Sequence, residues 1–94
     1  VKRTSIKHLN IRIYGQVQGV LFRDSAAQKA SELGVRGFVR NESDGSILIE
    51  AEGSPENLNA FLNWCQDGPP LAEVERVEQE EIDVVRHFKG FRVE

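Results

Sequence analysis

Ninety-four residues suit one domain with one core, and leave no room for a substrate domain beside a separate cofactor domain. With 39% hydrophobic and 29% charged residues the chain has the composition of an ordinary globular protein rather than a disordered one. A net charge of −3 argues against general nucleic-acid binding, and no apolar run reaches bilayer length, so neither nucleic acid nor membrane is an expected partner.

The polar start Val1-Lys2-Arg3-Thr4-Ser5 lacks the apolar stretch of a signal peptide, and the single cysteine, Cys65, closes no disulfide within the chain. A cytoplasmic, reducing location and a monomer are expected. Residues 1–7 are expected as a flexible lead and residues 8–94 as the single domain. Charge is unevenly spread: residues 1–40 hold eight Lys/Arg against two acids, and residues 41–94 hold four against thirteen.

In chain order, Leu9, Ile11 and Ile13 alternate with polar neighbours, the period-two pattern of a strand with one buried face. Gly15 to Leu21 breaks that pattern with two glycines. Phe22, Ala26, Ala27, Ala30 and Leu33 then recur at helical spacing up to Gly34, a good helix stop. Val35 to Asn41 and Ile47 to Glu52 read as two strands joined through an Asp44-Gly45 hairpin turn. Ser54 as N-cap, Pro55 at the first helical position, and Leu58, Phe61, Leu62 and Cys65 on one face specify a second helix, which Gly68-Pro69-Pro70 ends. Val74 to Gln79 is expected as a fourth strand, and the spacing of Val74 and Val77 points to a bulge within it. After the polar linker Asp83 to Gly90, Phe91 to Val93 is expected as a short fifth edge strand.

The order βαββαβ predicts an α+β, ferredoxin-like sandwich: an antiparallel sheet with two helices on one face. That architecture hosts enzymes, RNA binders and regulatory modules alike, so function has to be argued from the site.

The segment with chemical content is Gly15-Gln16-Val17-Gln18-Gly19-Val20-Leu21-Phe22-Arg23, between a strand and the start of a helix. Unpaired N–H groups at a helix start make a ring of donors for an anion, glycine permits close approach, and an arginine in the first turn supplies a charged fork for two phosphate oxygens. There is no Gly-Lys-Ser/Thr ending and the glycines do not fit the dinucleotide fingerprint. On glycine and arginine content alone, an ordinary turn before an exposed arginine is the simpler reading, just as Asn41 by residue type alone is a turn-initiating asparagine.

Gly15 to Arg23 resembles the acylphosphatase signature, a glycine, then Val-Gln-Gly-Val, any residue, and Phe-Arg, with Leu21 in the free position. Gly37-Phe38-Val39-Arg40-Asn41 is similar to a second signature of that family, and the likeness extends through Gly68 to Pro70 and Val74 to Glu78, from Leu9 to Val93 in all. The resemblance implies a metal-independent, cofactor-free hydrolase of acyl phosphates that releases carboxylate and inorganic phosphate. By the same resemblance Gln18, Gly19, Val20, Leu21, Phe22 and Arg23 hold the phosphoryl group, Arg23 binds its oxygens, and Asn41 positions the attacking water. Two positions depart from the pattern. Asp24 sets an acid beside the arginine, where pairing with Arg23 would lower phosphate affinity, and Gln79 stands where the fourth strand would be apolar.

The rest of the inventory fits this chemistry. Cys65 lacks the arginine a thiolate phosphatase needs at Leu71, and its place on an apolar helix face predicts core packing. His8 and His87 stand apart from any ligand spacing, so no metal site is expected, and the acids from Glu73 to Asp83 read as a solvated strand edge. An arginine, a carboxamide and main-chain donors neutralise charge but protonate no poor leaving group. A carboxylate, whose conjugate acid has a pKa of roughly 4, leaves without a general acid. The alternative class is a non-catalytic anion-binding or regulatory module. An RNA-binding domain is disfavoured because Ile47 to Glu52 offers no aromatic for stacking.

Overall fold

The computed structural model describes residues 5–94. The elements are β1 (Lys7–Gln16), α1 (Phe22–Glu32), β2 (Arg36–Asn41), β3 (Ile47–Gly53), α2 (Pro55–Asp67), β4 (Glu73–Ile82) and β5 (Phe91–Val93). Of the expected lead, residues 1–4 lie outside the described residues, and Lys7 already pairs with Gly53 in the sheet.

The five strands lie in the order β4-β1-β3-β2-β5. The β1–β3, β1–β4 and β2–β3 pairs are antiparallel, as expected. β5 corrects the expectation of a wholly antiparallel sheet: it runs parallel to β2, with Gly37 opposite Phe91 and Val39 opposite Val93, so the sheet is mixed. The cause is the connection. β4 and β5 sit on opposite edges, and the linker between them crosses the open face of the sheet before the chain joins its far edge.

The bulge expected between Val74 and Val77 is present. Tyr14 opposes Arg76 and Gly15 opposes Val74, which leaves Glu75 as the extra residue of β4. At Gly15 a side chain would run into the main chain of Glu73, so glycine is what lets the strands approach at the bulge.

Alternation along the strands sends Leu9, Ile11, Ile13, Val39, Ile47, Ile49 and Ala51 to one face, where they meet Phe22, Ala26 and Ala30 of α1 and Leu58, Phe61, Leu62 and Cys65 of α2. Each fully buried valine, leucine, isoleucine or phenylalanine side chain in this layer contributes about 1.5–3 kcal/mol. The Trp64 ring lies 5.4 Å from Phe22 and 6.1 Å from Phe61, centroid to centroid, so the start of α1 is packed on α2. Helix α2 is capped as its sequence indicates: the Asn57 N–H donates to Ser54 Oγ at 3.2 Å.

The open face has its own buried centre, which residue type did not announce. His8 and Glu52 are both buried, opposite one another across β1 and β3. The His8 ring faces the Val84 carbonyl through Nδ1 at 2.7 Å and the Glu50 carboxylate through Nε2 at 2.9 Å. Glu52 accepts from the main-chain N–H groups of Arg86 and, at 3.0 Å, Phe88. Phe88 packs edge-on against both His8 and Phe38. Linker 83–90 is thus a strap fastened by a buried carboxylate, and it delivers β5 to β2.

Candidate functional site

Val17 and Phe22 are both buried, while Gln18, Gly19 and Leu21 between them are exposed and Val20 is half-buried against the core. The loop is therefore anchored at both ends and turned outward in the middle. Gly19 has φ +76°, and a Cβ there would meet nothing within 4 Å, so this part of the loop offers bare main chain to solvent. Leu21 follows in the left-handed region as well, with φ 66° and ψ 23°, and serves as the N-cap of α1.

A leucine has no side-chain oxygen to cap with, and α1 accordingly has no side-chain cap bond, in contrast to α2. The Ser25 N–H makes the first turn bond, to the Leu21 carbonyl at 3.1 Å. Among the described residues, the N–H groups of residues 19–24 find no carbonyl or side-chain acceptor. Successive free N–H groups at the positive end of a helix form a concave donor surface suited to an anion.

These residues open onto a cavity of about 210 Å³ lined by Val17, Gly19, Leu21, Phe22, Arg23, Asp24 and Asn41. Of the residues singled out from sequence, the cavity brings together Gly19, Leu21, Phe22, Arg23 and Asn41. Gln18 and Val20 do not line it. The Gln18 side chain instead turns to the β2–β3 hairpin, where Nε2 donates to the carbonyls of Glu42 at 2.8 Å and Ser46 at 3.0 Å.

Arg23 and Asn41 are positioned through the same strand. Arg23 Nη1 donates to the main-chain oxygen of Glu94 at 2.7 Å, and the Glu94 N–H donates to the Val39 carbonyl at 2.9 Å. Val39 lies two residues before Asn41 on β2. The guanidinium is thus held by a chain of bonds that ends beside the asparagine. Arg23 forms no ion pair with Asp24 among the described residues, so the acid shares the cavity without tying up the arginine.

Asn41 closes β2 just before the turn. There the Glu42 N–H donates to Ser46 O at 2.9 Å, and Asp44 Oδ1 accepts from Ser46 Oγ at 2.5 Å and from Ser46 N–H at 2.9 Å. Those two bonds from Ser46 hold the Asp44 carboxyl below the usual carboxylate range. Glu42 is gripped from the open face by Arg40 at 3.0 Å and Arg12 at 3.4 Å. The hairpin that carries Asn41 is therefore braced on both sides.

Val17, Asp24 and Glu94 belong to the site as well. Val17 stands inside the Gly15–Arg23 motif, and its burial anchors the loop at the strand end. Asp24 was visible as an acid beside the arginine. Glu94 contributes a main-chain oxygen, which no residue type announces. Cys65 is fully buried, and burial pushes its thiol up to about 12. Among the described residues, no group of three His, Cys, Asp or Glu side chains converges to hold a metal ion, and no helix is long and apolar enough to cross a membrane.

Comparison with known proteins gives a consistent result. The acylphosphatase family model matches residues 9–93. The acylphosphatase of Methylococcus capsulatus is 47% identical over 88 residues, covering 94% of this chain and 96% of that protein. Among solved structures, an acylphosphatase from Coxiella burnetii superposes with a TM-score of 0.92 at 35% identity over the full length of both chains. The acylphosphatase of Bacillus subtilis gives 0.90 at 28% identity, covering 95% of this chain and 98% of that one.

Proposed function

The chain belongs to the acylphosphatase family, and from that membership we propose that it hydrolyses acyl phosphates to a carboxylate and inorganic phosphate, with Arg23 and the Gln18–Arg23 loop holding the phosphoryl group and Asn41 positioning the water. The observation that carries this assignment is the shared cavity: Arg23 and Asn41 open onto it together with the loop whose amides have no acceptor.

In this reading the phosphoryl oxygens take hydrogen bonds from the amides of the α1 entrance and from the guanidinium of Arg23. The Asn41 carboxamide oxygen accepts from the water, while its NH2 donates to the phosphoryl group. Water oxygen bonds to phosphorus as the bond from phosphorus to the acyl oxygen breaks, the acyl carboxylate departs, and a phosphoryl oxygen takes the water's proton. Such a transfer is mostly positioning and charge stabilisation, which these groups supply. A carboxylate leaving group needs no acid, so no step calls for a general acid or a metal ion. Within the loop, Gln18 and Val20 act through the main chain and through support, since the Gln18 amide is engaged with the hairpin and Val20 packs on the core.

The reading extends to residues 8–94 as the working unit, a monomer in the cytoplasm with no nucleic-acid or membrane partner. The net charge of −3 and the single, buried Cys65 support it.

Hydrolysis of benzoyl phosphate with EDTA in excess tests the proposal. Sustained turnover is expected. Binding of inorganic phosphate without turnover would make the chain a non-catalytic anion binder, and activity lost to the chelator and restored by added metal would reject the metal-independent route.

A further inference from the structure

Leu21 is the costliest residue in the loop to explain by folding. Its backbone occupies the left-handed region, which a leucine adopts with strain and a glycine or asparagine adopts readily. Burial does not compensate, because the side chain is 68% exposed, the second most exposed large apolar residue of the described chain after Leu71. That side chain makes no cap bond to α1. A side chain that adds strain, leaves apolar surface in water and caps nothing is explained by what it meets from outside.

What it meets follows from the composition of the cavity wall. Arg23, Asn41 and the unpaired amides are the groups that suit the phosphoryl end of the substrate. The other apolar lining residues, Val17 and Phe22, are at most 2% exposed and offer little surface. Leu21 is the exposed apolar surface on this wall, beside the open main chain of Gly19. A substrate held by its phosphoryl oxygens must direct its acyl chain out of so small a cavity, past the rim.

We infer that Leu21 is a specificity-determining residue: it packs against the acyl group and biases the site toward acyl phosphates whose acyl part is apolar and bulky. The inference rests on the acylphosphatase reading above and adds the class of acyl group to it. Contact on one side returns only part of the transfer free energy of an enclosed leucine, so a modest effect is expected.

The test compares kcat/KM for benzoyl phosphate and acetyl phosphate in the wild type, Leu21→Asn and Leu21→Met, with competitive inhibition by inorganic phosphate measured alongside. Asparagine tolerates the left-handed backbone, so that variant keeps the loop while losing the apolar surface. Leu21→Asn should lower the ratio of kcat/KM for benzoyl phosphate to that for acetyl phosphate by about fivefold. Leu21→Met should retain the wild-type ratio, and inhibition by inorganic phosphate reads any change in the loop itself, which the ratio of the two substrates cancels. A wild type that hydrolyses both substrates, with their ratio unmoved in Leu21→Asn, overturns this inference alone. A wild type that hydrolyses neither overturns the acylphosphatase reading and this inference with it.

Discussion

The Gln18 side-chain amide donates at 2.8 Å to the main-chain carbonyl of Glu42, the residue that follows Asn41. The same nitrogen reaches the Ser46 carbonyl at 3.0 Å across the hairpin. The loop that leads into Arg23 and the turn that carries Asn41 are thereby joined by one side chain.

Replacing Gln18 by glutamate puts a carboxylate against two carbonyl oxygens and removes both bonds. We expect Gln18→Glu to cost about 1–3 kcal/mol in stability by leaving these acceptors facing a charge and to reduce kcat at least about tenfold through misplacement of the loop against Asn41. Urea unfolding and benzoyl phosphate kinetics measure the two effects separately.

Asp24 lines the cavity and forms no ion pair with Arg23 among the described residues, so its negative charge opposes the substrate's. Asp24→Asn should tighten inhibition by inorganic phosphate by about two- to fivefold at low salt, an effect that shrinks toward unity as ionic strength rises. Inhibition constants measured over a salt series check both the sign and the screening.

Glu52 fastens the strap through two main-chain N–H groups, and glutamine retains only one acceptor while turning an NH2 toward a donor. Glu52→Gln is expected to destabilise the fold by about 2–4 kcal/mol, read as a lower urea midpoint. The buried carboxylate lies on the open face and outside the cavity lining, so turnover by the folded fraction should persist.

Burial raises the Cys65 thiol from 9.0 to about 12. The folded chain therefore holds the proton more tightly than the unfolded chain. Stability from this group is complete below pH 9.0 and declines as pH rises from there toward 12, by about 1 kcal/mol per pH unit at its steepest. The difference in stability between wild type and Cys65→Ala should be flat up to pH 9 and then shrink. At pH 8 iodoacetamide should leave the folded thiol unmodified and alkylate it in guanidinium chloride.

How much of this was legible in the residues depended on where each interaction lies. Period-two alternation in Leu9–Ile13, the Ser54-Pro55 start of α2 and the Asp44-Gly45 turn are local signals, and all three elements formed as read. The uneven spacing of Val74 and Val77 likewise marked the bulge. The direction of β5 was not legible, because the strap depends on Glu52 meeting the main chain of residues 34 and 36 positions away, and a run as short as Phe91-Arg92-Val93 carries no sign of which neighbour it will join. His8, read as isolated, is buried for the same reason.

At the site, the motif from Gly15 to Arg23 and the position of Asn41 were visible, and the cavity contains most of what they named. Residue identity did not indicate that the Gln18 amide would turn away to the hairpin, since a carboxamide serves an anion or a carbonyl equally well. Nor does a leucine announce a left-handed backbone, a conformation that glycine and asparagine adopt far more readily.

The division of labour between Arg23 and Asn41 is tested most directly by kcat for benzoyl phosphate and inhibition by inorganic phosphate, both measured on Asn41→Ala, with Arg23→Ala as the reference for lost binding. Asn41→Ala should lower kcat at least about a hundredfold while phosphate inhibition stays within about threefold of wild type. Full turnover in Asn41→Ala, or phosphate binding lost in step with turnover, would contradict the water-positioning role.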